Sequence, residues 1–123
     1  MKSNTNELRK SIRQLIEKHC PNTNYKKVSL PILYPYVTFE ITVLAISDGQ
    51  HKCDLEINVV SKDVKEVERI SDALVDALDH ESIINTKVAC DIYALKRDSV
   101  EEADKEIERR RLLFELNYYK AED

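Results

Sequence analysis

The chain has 123 residues, 42% hydrophobic and 34% charged, with one glycine, three prolines and a formal net charge of -4. That length fits a single domain over residues 1–123 that buries roughly two-thirds of the surface its unfolded form exposes. One glycine excludes a glycine-built phosphate loop, the acidic balance argues against general affinity for nucleic acid, and no apolar run approaches bilayer length.

The N-terminal stretch MKSNTNELRKS lacks the apolar core of a signal peptide, so a soluble protein kept in the cytosol is expected. Leu8, Ile12, Leu15, Ile16 and His19 follow at spacings of three and four, the stripe of an amphipathic helix over Thr5 to His19, stopped by Pro21. From Asn22 to Pro35 two more prolines predict a loop, with a short extended piece around Lys27 to Leu30. In YVTFEITVLAI the period becomes two, with Val37, Phe39, Ile41 and Val43 facing one way and Tyr36, Thr38, Glu40 and Thr42 the other. Asp48-Gly49 then signals a tight hairpin, and HKCDLEINVV returns with Cys53, Leu55, Ile57 and Val59 inward. Val64, Val67, Ile70, Leu74, Ala77 and Leu78 restore helical period behind a Ser61 or Asp63 cap. A strand is expected from Asn85 to Lys96, a mobile charged loop over Arg97 to Lys105, and a closing strand from Ile107 to Lys120. In that last strand Leu112, Phe114, Leu116 and Tyr118 alternate with Arg111, Leu113, Glu115 and Asn117. The expected class is α+β: an antiparallel sheet of about four strands with two helices on one face, in the order α-β-β-α-β-β.

Chemistry is sparse in this pattern. Cys20, Cys53 and Cys90 are odd in number, far apart and never in a CxxC pair, which fits buried reduced thiols better than disulfides or zinc. His51 and Cys53 share a strand side and His19 adjoins Cys20, but no metal-ligand spacing recurs. Asp54 and Glu56 are arranged like part of a nuclease metal cluster, yet Asn58 stands where that chemistry needs lysine, so outward acids keeping a hairpin soluble is the better reading. The run Arg109 to Arg111 is split by strand alternation, Arg109 and Arg111 on one face and Arg110 on the other, and Glu106, Glu108 and Glu115 blunt its potential. No catalytic residue, cofactor-binding residue or metal ligand is assigned.

The charge distribution is polar along the chain. Met1 to Lys27 holds seven basic residues against two acids, and Asp63 to Glu81 holds seven acids against Lys65 and Arg69. Such elements can meet each other, a neighbouring copy, or separate partners.

Four features in order carry a family resemblance: the N-terminal helix, the proline-flanked strand entry LYPYVTFEI, the strand-to-helix stretch LEINVVSKDVKEVERISDALVDAL, and the basic, apolar closing strand IERRRLLFELNYYK. Taken together the chain resembles the tail terminator, tail completion or minor tail proteins of long-tailed bacteriophages and prophages. The resemblance implies a structural, non-enzymatic subunit, present in the bacterial host cytoplasm during assembly and then in the virion tail. It implies a ring, usually of six copies, that caps the tail tube, ends its polymerisation and presents the head-attachment surface. Its partners would be further copies of itself, the tail tube protein and a head-tail connector protein, with DNA passing through the channel unbound and no membrane. A ring needs heterologous contacts. Arg9, Lys10 and Arg13 of the basic helix, Asp72, Asp76 and Asp79 of the acidic helix, and Arg109 and Arg111 on the polar face of the closing strand are the expected contact residues. Two alternatives stay open: another head-tail connector or head completion protein, and, from a different class, a small nucleic-acid-binding or nuclease-like domain.

Overall fold

The structure, a computed structural model, describes residues 4–47, 49–84 and 88–120. Its elements are α1 (Asn4–Glu17), β1 (Thr23–Tyr25), β2 (Tyr36–Ser47), β3 (Gln50–Ser61), α2 (Val64–Leu78), β4 (Ser82–Ile84), β5 (Val88–Val100) and β6 (Glu108–Lys120). The sheet is six-stranded and mixed, in the order β1-β2-β3-β6-β5-β4, and curls into a half-barrel.

This corrects the expected four-stranded antiparallel sheet with order α-β-β-α-β-β. The two additional strands, β1 and β4, are three residues each, too short for an alternating pattern to register in sequence. β1 runs parallel to β2, which makes the sheet mixed; the other pairings are antiparallel. The charged loop expected from Arg97 is also revised, because Arg97 to Val100 continue β5 in register with Arg109 to Leu112 of β6. Strand pairing there overrides the local polarity that reads as loop. Of the hairpin signal, Asp48 lies outside the described residues, and Gly49 takes a positive φ of 78°. The first residues of the expected third strand, Asn85 to Lys87, also lie outside them.

α2 starts where its sequence predicts. Asp63 is the N-cap, its carboxylate accepting the Lys65 amide at 2.9 Å, while the Ser61 hydroxyl donates to Glu66 and accepts the Asp63 amide. Leu8, Ile12 and Ile16 of α1 and Val67, Ile70, Leu74 and Leu78 of α2 enter one apolar cluster with Leu55, Ile57, Val59, Leu112, Phe114, Leu116 and Tyr118. The inward alternation of β3 and β6 is therefore as expected. β2 differs at both ends: Tyr36, beside Tyr34 and Arg109, and Thr38 are buried, and Val43, expected inward, is 41% exposed.

The curl has a geometric cause. On one flank α1 lines a cleft with Tyr25 and Phe39, and on the other it lines a cleft with Ser82, Ile83 and Ile84. β1 and β4 are at opposite ends of the strand order. Five spacings of about 4.8 Å would hold them ~24 Å apart in a flat sheet, about twice a helix diameter. One helix reaches both only because the sheet bends around it.

Candidate functional site

Each sheet row alternates between the helix-covered face and a second face without helices. The second face is read off the pairings: Tyr36, Val60, Arg109 and Val100 form one row, Thr38, Asn58, Arg111 and Asp98 the next. Arg111 holds Asp98 through two bonds of 3.1 and 2.7 Å, and Arg109 pairs with Glu102. The Arg111 guanidinium keeps the Asp98 carboxyl below the usual carboxylate range. Arg110 points the other way, bonding Glu68 on α2 and Glu108. The arginine run is divided between faces as its alternation predicts, and each guanidinium meets a carboxylate of the same chain.

The expected acidic group on α2 is partly neutralised. Arg97 of β5 bonds Glu68 and reaches Asp72 at 2.5 Å. The Glu68 carboxyl is held below its ordinary range, chiefly by the hydrogen bond from Arg110 and then by both guanidinium charges. Asp79 accepts the Ala94 amide of β5 at 2.8 Å. Asp76 is exposed and makes no ion pair among the described residues. These contacts tie α2, which packs over β3 and β6, to the β5 side of the sheet.

The basic group lies at the other margin. The Arg9 guanidinium sits 4.5 Å from the centre of the Tyr25 ring and donates to Asn6, Arg13 pairs with Glu17, and Lys10 is exposed. With Tyr25 and Phe39 these residues line a shallow cleft of about 190 Å³. Lys26, just past β1, pairs with Glu40, and Lys27 is exposed beside it. The three arginines and lysines of α1 are thus brought together, as are Arg109 and Arg111, whereas the basic and acidic helix groups are set at opposite margins.

Tyr25, unremarked in the sequence, and Asp79, expected only as a contact residue, close parts of those margins. The Tyr25 hydroxyl accepts the Ile41 amide at 3.1 Å and donates to the Ile41 carbonyl at 3.2 Å, standing in for a strand neighbour on β2. Asp79 does the same for Ala94 on β5. No sequence period marks either role, since each depends on a long-range approach.

Chemical groups are otherwise dispersed. Among the described residues no three His, Cys, Asp or Glu side chains come together to hold a metal, and no helix is long and apolar enough to cross a membrane. Asp54 and Glu56 lie on the helix-free face as expected, Glu56 bonded to Asn58.

No family model matches the chain, and no curated protein matches it. Among solved structures, a chain from the virion of the native gene transfer agent particle aligns with a TM-score of 0.69 at 15% identity, covering 88% of this chain and 91% of that one. A second, whose description names no activity, aligns with a TM-score of 0.70 at 8% identity over 94% of this chain and 93% of that one. What is shared at these identities is the fold, nearly end to end.

Proposed function

We propose that this chain is a structural subunit of a phage-like particle, and within that class a tail terminator: a ring that caps the tail tube, ends its polymerisation and offers the surface to which the head attaches. The observation that carries the reading is the end-to-end fold likeness to a chain of a gene transfer agent virion. The charge layout supports it. A basic margin (Arg9, Lys10, Arg13, Lys26, Lys27) and an acidic one (Asp72, Asp76 and the β5 side) on opposite edges suit a head-to-tail contact, in which one patch meets a different patch of the next copy and closes a ring. Electrostatic matching of this kind fixes register and partner more than raw affinity. The role needs no catalysis.

Electron microscopy of tails assembled with and without the protein tests the reading. Tails of unregulated length in its absence are the expected result. Tails of normal length that fail to join heads would move the chain to a head-tail connector, and unaltered particles would overturn both readings. Asp76→Lys, on a side chain outside the internal pairs, is expected to weaken assembly while leaving the thermal midpoint of the free subunit within about 2 °C.

A further inference from the structure

The sheet margins are each half covered. On β2, β1 pairs with Val37 to Phe39 and the Tyr25 hydroxyl serves Ile41, so among the described residues Thr42 to Ser47 have no strand neighbour on that side. On β5, β4 pairs with Ala89 to Asp91, Ile92 bonds backbone groups of His80 and Glu81, and Asp79 serves Ala94, so among the described residues Leu95 to Val100 have none. The uncovered halves are equal in length and diagonal to each other. The β2 half carries neither proline nor charge, the β5 half carries Lys96, Arg97 and Asp98, each has a bulge near its start, and together they expose Val43, Leu44, Ile46 and Leu95 at 41%, 57%, 70% and 61%.

From this we infer that the open half of β5 in one copy pairs with the open half of β2 in the next, so that the sheet runs unbroken from subunit to subunit. The inference rests on the ring reading above and specifies its contact. Four considerations select a second copy as the occupant.

Direction agrees. β5 is antiparallel to β2 within one chain, so a neighbour in the same orientation presents an antiparallel edge. Register agrees as well. Opposing Thr42 to Val100 displaces the neighbour by six rows, and an even displacement keeps the helix-free face on one side throughout. On β2, Val37, Phe39 and Ile41 turn backbone groups to the margin, which makes Val43 the next to do so. On β5, Ile92 and Ala94 do, and past the bulge at Leu95 that role passes to Arg97 and Ser99. The same displacement sets Val43 against Ser99, joining residues that both have groups to offer.

Closure follows from the stagger. Six rows at about 3.3 Å is ~20 Å along the strands, against about 19 Å across four strand spacings, a tilt of about 45° and at the upper end of the range in which sheets close into barrels. Charge also agrees. The displacement carries the β5-β6 tip, with exposed Asp104 and Glu106 and a Glu101 paired to Lys105, past the end of the shared ladder to the β1 side of the neighbour, where Lys26 and Lys27 stand. β1 and β4 thereby act as stops that permit one stagger.

The test uses the full chain, concentrated until closed oligomers form or assembled on tails. Peptide-level amide exchange of residues 42–47 and 95–100 is expected to slow at least tenfold on assembly. In the double variant Thr42→Cys, Val100→Cys, oxidation is expected to give a ladder of covalent oligomers, because this pair lies in a non-hydrogen-bonded row where side chains are closest. Thr42→Cys with Ser99→Cys, on opposite faces, is expected to give none. Closed rings with neither exchange protection nor the ladder would overturn the paired edges and leave the ring reading standing. A chain that remains monomeric in concentrated solution and on tails would overturn both.

Discussion

Cys90 is buried between strands beside Cys53 and Asp91, and that environment fixes its chemistry. Burial, with smaller contributions from Cys53 and Asp91, pushes its thiol up to about 12, and burial also raises Cys20 and Cys53. A thiolate is the reactive species, so these cysteines are poor nucleophiles in the native state. A chromogenic disulfide reagent at neutral pH is expected to modify none of the three until denaturant is added, and then all three. The pH dependence has a definite sign. The folded pKa exceeds the unfolded one near 9, so the native advantage is complete below pH 9 and is lost as pH rises toward 12. Urea midpoints measured from pH 8 upward are expected to fall, and Cys90→Ala to fall less steeply. Rapid modification of the native thiols would contradict the burial. Here the sequence was readable for Cys53 and Cys90, which lie on strands where they alternate with Asp54 and Asp91 and are positioned by the period-two pattern, whereas Cys20, past the end of α1, is not.

At the scale of elements, α2 is tied to the sheet by polar contacts as well as by its apolar stripe. Glu68 receives Arg97 from β5 and Arg110 from β6, so one carboxylate spans two strands. Arg110 is only 12% exposed, whereas Arg111 on the opposite face is 37% exposed. Arg110→Ala is expected to cost about 1–2 kcal/mol, moderated because Glu68 and Glu108 can rehydrate, and Arg111→Ala distinctly less, both read from urea midpoints. Glu68 has a lowered folded pKa, so its contribution is present above the ordinary carboxylate range and is lost as pH falls through the lowered value. Glu68→Gln should therefore flatten the acid side of the stability profile. What sequence shows of the elements follows from their length. β3, β6 and both helices are long enough for their periods to appear. β1 and β4 are not, and the RDSV end of β5 has the composition of a loop and becomes a strand only through its pairing with β6.

The whole molecule depends on relations that no local period encodes. Strand order decides that the basic group of α1 lies by β1 while Glu68, Asp72 and Asp79 of α2 engage the β5 side, and the open half-edges exist only because β1 and β4 stop short. The charge groups of the candidate site were legible in the sequence; their separation across the sheet was not. The same holds for the curl, which follows from α1 reaching both ends of the strand order. That arrangement makes α1 the closing element of the half-barrel, and its fully buried Ile12 the natural probe. Ile12→Ala is expected to cost about 3 kcal/mol from lost burial and the cavity left behind. Leu74→Ala in α2, equally buried, is expected to cost a similar amount. The two should differ in where the loss is felt. α2 packs on β3, β5 and β6, while α1 packs on β1 and lines a cleft with β4. Amide exchange in β1 and β4 should therefore accelerate together in Ile12→Ala beyond the increase due to lower global stability, and in Leu74→Ala only by that common increase. Independent behaviour of β1 and β4 in the α1 variant would mean that the sheet holds its curvature without the helix.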